Sequence, residues 1–285
     1  NRLRVERWGA QVHLCSIMNA KSGACSGDCR FCAQSSRHAT GAQVYPLRSA
    51  EDIAKAYEEA GATLPVDHFG IVTSGESLNK KDVSRLCKVI RNKRVRKLHW
   101  CASLGDLGED DLAALKKAGL TRFHHNLETA ESFFPSICTT HSWQERLAMV
   151  RKVKKAGLEV CCGGILGLGE TPEQRVELAL TLRKEEVDSI PLNFLVPLPG
   201  TALGHLEPMK PMEVLRAVAM FRLVNPEAEI KVCAGRVHLR DLQSMIFFAG
   251  ASGMMIGPLL TIAGRKVEED LAMLRDLELS FDVKP

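Results

Sequence analysis

Residues 21–32 read Lys-Ser-Gly-Ala-Cys-Ser-Gly-Asp-Cys-Arg-Phe-Cys, which sets three thiols, Cys25, Cys29 and Cys32, three and two residues apart. Thiolate is the usual protein ligand of iron–sulfur clusters, and three at this spacing can grip three irons of a cubane [4Fe–4S] cluster. No fourth cysteine stands nearby in sequence, so one iron is left open for a substrate or cofactor. The competing reading is a zinc site, which normally wants four protein ligands at paired spacings. That alternative describes a zinc-stabilised binding protein without catalysis.

Ten cysteines in 285 residues call for a metal or redox explanation. Disulfide frameworks belong to small secreted domains, and this chain is not small. Its charged N-terminus reads as lacking a signal peptide, so a cytoplasmic location is expected. Cys15, Cys87 and Cys138 fall in no informative pattern and read as buried structural thiols.

The elements that must position the loop follow from an alternation along the chain. Short apolar or β-branched runs occur at residues 12–18, 68–73, 98–102, 122–125, 158–165, 190–196, 230–233 and 254–256. Helical patterns separate them, at residues 50–60, 81–92, 110–118, 143–156, 172–186, 211–223, 239–249 and 267–277. In the fourth of these, Trp143, Leu147, Val150 and Val153 mark one buried stripe, with Ser142 as the cap and Gly157 as the stop. Lys-Lys-Ala-Gly-Leu recurs at residues 116–120 and 154–158, and Ala60-Gly61 looks similar. Each glycine marks a helix-to-strand joint.

Eight strand–helix pairs predict a single-domain (β/α)8 TIM-type barrel over residues 1–285, with chemistry at the C-terminal ends of its strands. A doubly wound open sheet is the alternative, weakened because no Gly-x-Gly-x-x-Gly follows the first strand.

The barrel gives meaning to three more cysteines. Cys101, Cys161 and Cys233 fall in strands three, five and seven, and inward residues of alternate strands share a level. Three thiols at one level can hold a second, auxiliary cluster buried below the first. Cys162 follows Cys161 directly and is expected to point outward, unless the strand bulges.

Composition adds only exclusions. The net charge of +4 is too small, and the basic run at residues 88–97 too local, for a nucleic-acid partner. The uncharged stretch at residues 242–264 is broken by Gly250, Gly253, Gly257 and Pro258, so it reads as a turn, strand and loop rather than a membrane span.

With its aromatic before the last cysteine, the loop resembles the signature of the radical S-adenosylmethionine (SAM) superfamily. Residues 163–170, Gly-Gly-Ile-Leu-Gly-Leu-Gly-Glu, are similar to that superfamily's G-x-I-x-G-x-x-E segment. Within it, the chain resembles biotin synthases from about Asn19 to the eighth strand. The pieces are Ala33-Gln34-Ser35-Ser36-Arg37, His125-Asn126-Leu127-Glu128-Thr129, Trp143-Gln144-Glu145-Arg146-Leu147, Cys161 with its glycines, Pro191-Leu192-Asn193 and Ala234-Gly235-Arg236. Their order and spacing carry the resemblance together.

The resemblance implies the remaining assignments. The open iron of the first cluster chelates SAM; Phe31 and Ile165 lie near its adenine, Glu76 near its amino group and Arg146 near its carboxylate. Asn126, Glu128 and Asn193 contact SAM or dethiobiotin, and Glu128 replaces the commoner Asp. An electron from a flavodoxin or ferredoxin cleaves SAM, the resulting radical takes hydrogens from dethiobiotin, and sulfur comes from the auxiliary cluster. General acid–base residues are not required. Many members hold [2Fe–2S] with three cysteines and an arginine; Cys101, Cys161 and Arg236 match three of these, but Gly70 replaces the first cysteine. Cys233 is then expected to compensate, favouring a [4Fe–5S] cluster. A homodimer is implied. The runner-up is another radical SAM enzyme of the same group, acting in hydrogenase-cofactor maturation or on a lysine-derived substrate.

Overall fold

The computed structural model describes residues 1–95, 97–258, 260 and 265–281. Nine strands run in chain order: β1 (His13–Lys21), β2 (His68–Thr73), β3 (His99–Ser103), β4 (Leu120–His124), β5 (Glu159–Cys161), β6 (Gly164–Leu166), β7 (Ser189–Phe194), β8 (Glu229–Val232) and β9 (Gly253–Met255). All named pairings are parallel, in the order β5-β4-β3-β2-β1-β9-β8-β7-β6, and a β5–β7 pairing closes the ring. Strands β5 and β6 are two halves of one barrel position, which makes eight positions and a closed (β/α)8 barrel.

The interruption at residues 162–163 has a steric cause. A Cβ on Gly163 would lie 2.1 Å from the Pro191 carbonyl oxygen, and one on Gly164 would lie 2.3 Å from the Glu128 carbonyl oxygen. Only glycine lets the neighbouring backbones come this close. Cys162 sits in this break, fully buried in the apolar layer and outside the barrel lumen, as strand alternation requires.

The helices are α1 (Arg2–Trp8), α2 (Ala50–Thr63), α3 (Lys80–Asn92), α4 (Glu109–Ala118), α5 (Trp143–Lys155), α6 (Pro172–Lys184), α7 (Pro211–Val224), α8 (Met245–Ala249) and α9 (Val267–Asp276). Strand β3 shows how the two layers divide the sequence. Trp100 faces the helices at 1% exposure, while Cys101 and Ser103 face the lumen. Trp100 stacks on Tyr57 of α2 at 3.7 Å. Such burial is the main force seating helix on strand.

Ser142 caps α5 through a reciprocal capping box with Glu145. Gly119 and Gly157 have φ of 110° and 71°, the left-handed turn expected at each joint. Gly61 differs: α2 runs through it to Thr63, and the glycine is needed because a Cβ there would meet Val95 Cγ1 at 2.5 Å. Leu147 is only partly buried, and Met149 takes a core place beside Val150 and Val153. The helix expected over residues 239–249 is a kinked 3-10 stretch, Arg236–Leu242, broken at Arg240 (φ 50°), followed by the short α8. No described helix is long and apolar enough to cross a membrane. The end of the uncharged stretch, at 259 and 261–264, lies outside the described residues, as does Arg96 of the basic run.

Candidate active site

One cavity of about 610 Å³ occupies the barrel axis and opens at the C-terminal ends of the strands. Its lining includes Cys25, Cys29, Cys32, Phe31, Glu76, Asn126, Glu128, Arg146, Ile165, Asn193, Cys101, Cys161 and Cys233. Residues far apart in sequence thus meet in three tiers.

The upper tier is the cysteine loop that follows β1. Its backbone is tied down at Cys25 N to Gln34 O (3.1 Å), Ser36 N to Cys25 O (2.8 Å) and Ser35 Oγ to Gly27 O (2.6 Å). Gln34 also accepts from Gly23 N at 3.1 Å, so the stretch after the third cysteine works as a brace. A second brace comes from residues 137–141. Arg30 N donates to Ile137 O at 2.9 Å, and Asp28 Oδ1 accepts from Thr139 N (2.9 Å), Thr140 N (3.1 Å) and Thr140 Oγ1 (3.0 Å). These bonds overcome the cost of burial and hold the Asp28 carboxyl well below the usual carboxylate range.

The loop suits a cluster. Cys25 and Cys29 converge on Gly27, where a Cβ would lie 3.5 Å from one sulfur and 4.0 Å from the other. The glycine keeps that space free, and three thiols face the cavity together. All ten cysteines are free, as cluster ligation requires. Cys138, read from sequence as a structural thiol, lies beside this loop. Its Sγ is 3.7 Å from Cys29 Sγ, 3.2 Å from Asp28 Oδ1 and 3.4 Å from His141 Nδ1. Hydrogen bonding with Cys29, aided by His141, pulls Cys138 down to about 4, and the same contact pushes Cys29 up. No spacing rule signals a thiol brought in from residues 137–141.

The middle tier is a polar network on the loop after β4, on β7 and on α5. Arg146 donates to the Asn126 carbonyl (2.6 Å) and pairs with Glu128 (3.1 Å), while Asn126 Nδ2 reaches Glu128 at 3.3 Å. Asn126 Oδ1 accepts from Gly163 N at 3.0 Å. Asn193 bridges Ala234 N (3.1 Å) and Gly164 O (3.3 Å). Glu128 sits at φ 68°, rare for a residue with a side chain, and is pinned because Ile165 N donates to its carbonyl at 2.8 Å. Burial raises the Glu128 carboxyl, partly offset by Arg146. Burial also lowers His124 to about 4 and pushes His125 well below the usual histidine range. Glu76 is exposed at the rim and accepts from Ser26 Oγ at 2.8 Å. Glu170 stays out of the lumen: it is buried, accepts from Gly167 N and Leu168 N, and pairs with Arg175 at 2.6 Å, which fixes the turn after β6.

The lowest tier is a nest of thiols. Cys15 of β1 joins Cys101, Cys161 and Cys233 on the cavity wall. Cys15, Cys101 and Cys161 lie on barrel positions one, three and five, and Cys233 directly follows β8, position seven. Cys15 therefore belongs to the pattern that singled out the other three, contrary to its reading as structural. Its Sγ lies 4.0 Å from the Met254 carbonyl oxygen, and the neighbouring Cys233 lowers its pKa while Cys15 raises that of Cys233. Burial pushes Cys161 up to about 11 and Cys101 higher still.

Arg236 departs from its expected place. It is buried outside the lumen, paired with Asp270 at 2.5 Å and bonded to Gln243 at 3.2 Å. Asp270 on α9 neutralises it, so its guanidinium is already committed.

Comparisons with known proteins place this arrangement. Residues 20–182 match the family model described as the radical SAM superfamily, and residues 191–280 match that of the biotin and thiamin synthesis associated domain. The barrel and its loop therefore define a radical SAM enzyme. The chain is 53% identical over 283 residues to the biotin synthase of Maridesulfovibrio salexigens, covering 99% of this chain and 86% of that one. It is 53% identical over 284 residues to that of Geobacter sulfurreducens, covering 98% and 86%. The chain belongs to the biotin synthase family.

Among solved structures, methylornithine synthase (PylB) superposes with a TM-score of 0.82 at 17% identity, over 98% of this chain and 86% of that one. The hydrogenase maturase HydG of Carboxydothermus hydrogenoformans gives 0.78 at 19%, over 98% and 69%. At such identities these likenesses speak for the fold alone.

Proposed function

We propose that the chain inserts sulfur into dethiobiotin to form biotin, using SAM, a [4Fe–4S] cluster on Cys25, Cys29 and Cys32, and a second cluster in the nest of Cys15, Cys101, Cys161 and Cys233. The observation that carries this reading is the stacking of two thiol sets, one at the mouth and one at the floor of a single cavity. When bound, these groups would supply the electron that cleaves SAM, the radical that takes a hydrogen atom from an unactivated carbon, and the sulfur that takes its place.

The chain's own part is placement. Asp28 and the braces at residues 34–36 and 137–141 hold the loop in one shape, leaving a corner for SAM. Arg146, a planar fork next to Glu128, would pair with the SAM carboxylate, and Phe31 and Ile165 would wall its adenine. Glu76 at the rim receives the amino group. Asn126 and Asn193 would orient dethiobiotin between the tiers, and the closed barrel below would keep water out. No general acid or base is assigned in this reading.

Four thiols lining one cavity, a glycine at position 70 and an Arg236 committed to Asp270 favour a four-iron auxiliary cluster of the [4Fe–5S] type over [2Fe–2S]. A flavodoxin or ferredoxin is the electron donor in this reading, and the chain works as a homodimer.

Anaerobically reconstituted protein given SAM, a reductant and dethiobiotin should yield biotin with methionine and 5′-deoxyadenosine. Cleavage of SAM without any biotin would overturn the assignment of substrate.

A further inference from the structure

Cys138 meets the cysteine loop face to face. Arg30 N donates to Ile137 O at 2.9 Å, and Thr139 N donates to Asp28 Oδ1 at 2.9 Å. Cys29 lies between the two tied residues of the loop, and Cys138 between those of the facing segment. The thiols therefore stand opposite each other, with their sulfurs 3.7 Å apart. A disulfide needs about 2.05 Å. The difference is smaller than the swing of a cysteine sulfur between two staggered rotamers, so both ties can stay in place. Access separates the pair: Cys29 lines the cavity, whereas Cys138 is buried behind it at 4% exposure. Around the Cys138 sulfur stand Asp28 Oδ1 (3.2 Å), His141 Nδ1 (3.4 Å) and Thr140 Oγ1 (3.5 Å), a polar setting unlike that of an inert core thiol.

Cys29, Cys138 and His141 have ligand atoms within 4.8 Å of one another, close enough to hold a metal ion. Arg146 argues against that use. Its Nη1 lies 3.2 Å from His141 Nε2 and can only donate, so Nε2 accepts and Nδ1 carries the ring proton toward Cys138. A protonated ring nitrogen is not a ligand. Thiol chemistry between the two cysteines is left.

We propose that, when the first cluster is lost to oxidants, Cys29 and Cys138 form a reversible disulfide that guards Cys29 until the cluster is rebuilt. This rests on the reading that Cys25, Cys29 and Cys32 hold that cluster. The oxidant is hydrogen peroxide, which reaches Cys29 from the cavity. The Cys29 sulfur attacks one peroxide oxygen: an S–O bond forms, the O–O bond breaks, and water leaves with the thiol proton. The product is a sulfenic acid. The Cys138 sulfur then attacks the Cys29 sulfur: the S–S bond forms, the S–O bond breaks, and the hydroxyl leaves as water with the Cys138 proton. The two thiols give up two electrons and the peroxide takes them. A dithiol reductant reverses the bond, its own thiols becoming the disulfide. Without a resolving thiol, the sulfenic acid is open to further, irreversible oxidation.

The test is peroxide treatment of the full chain without its clusters, then alkylation of the remaining thiols and tryptic mapping without reduction. Cleavage after Lys21, Arg30, Arg37, Arg122 and Arg146 puts Cys29 in peptide 22–30, Cys32 in 31–37 and Cys138 in 123–146. The expected product joins 22–30 to 123–146. Cys25 shares the first of these peptides, so the link should persist in Cys25→Ser. Reduction and reconstitution should then return the paramagnetic signal of the reduced first cluster to that of an untreated chain. In Cys138→Ser the same treatment should carry Cys29 to sulfinic acid, and the recovered signal should fall severalfold. Peptides 22–30 and 31–37 joined as the main product, or Cys138 recovered alkylated, would overturn the inference, and neither outcome depends on how well a variant folds. Equal recovery in Cys138→Ser and wild type would overturn it too. An untreated wild-type chain that never shows the first cluster's signal would instead overturn the cluster reading, leaving the mapped bond standing.

Discussion

Asp28 shows how much a single side chain outside the ligand set can decide. It lies between two candidate ligands and gathers the hydroxyls and amides of Thr139 and Thr140, so the loop's shape depends on a segment more than a hundred residues away. Hydrogen bonds to a charged group are worth roughly 1.5–3 kcal/mol each when lost. Asp28→Ala should therefore leave the fold intact but release cluster iron to a chelator roughly tenfold faster or more, read by absorbance decay. An unchanged release rate would place the loop's rigidity elsewhere.

The same scale shows where sequence reading stops. Cys25, Cys29 and Cys32 announce themselves by spacing, and Cys101, Cys161 and Cys233 by their strands. Cys15 was equally legible, since it also lies on an odd-numbered strand, but it needed the first strand's inward face to be followed. Cys138 was not legible: a loop between β4 and α5 carries it to Cys29, and no periodicity encodes that approach. Arg236 matched a family position by sequence, and Asp270, 34 residues on, takes its charge instead.

At the scale of elements, the barrel is closed by glycine as much as by apolar burial. Gly163 and Gly164 let β7 and the chain after β4 come within a Cβ's reach, which ties Glu128 to the split strand. Gly164→Ala should destabilise the fold by about 2–3 kcal/mol, since the obstacle is backbone and cannot swing aside. Urea denaturation measures it, and a loss below about 0.5 kcal/mol would show that the close approach is not needed. The elements themselves were readable from alternation, caps and stops, because each is a local pattern. The break in strand five and the kink at Arg240 were not, because both answer to neighbouring chain segments.

At the scale of the whole molecule, the two ends of the barrel have different work. The C-terminal end carries the loop and the polar network, while the floor carries paired charge. His13 belongs to the floor, raised above its ordinary value chiefly by its hydrogen bond to Asp67. A histidine raised on folding contributes stability that is full below its unfolded value of about 6.5 and is lost as pH climbs through the folded value. The gap in unfolding free energy between wild type and His13→Gln should therefore be larger near pH 6 than near pH 9. A gap that grows with pH would reverse the assignment.

In the proposed reading one cavity holds two iron–sulfur clusters, one above the other. Crystals of the anaerobically reconstituted protein, measured at the iron absorption edge, test it most directly. Two separate peaks of anomalous density are predicted, one bounded by Cys25, Cys29 and Cys32 and the other by Cys15, Cys101, Cys161 and Cys233. A single peak at the loop, with none against the lower thiols, would contradict it.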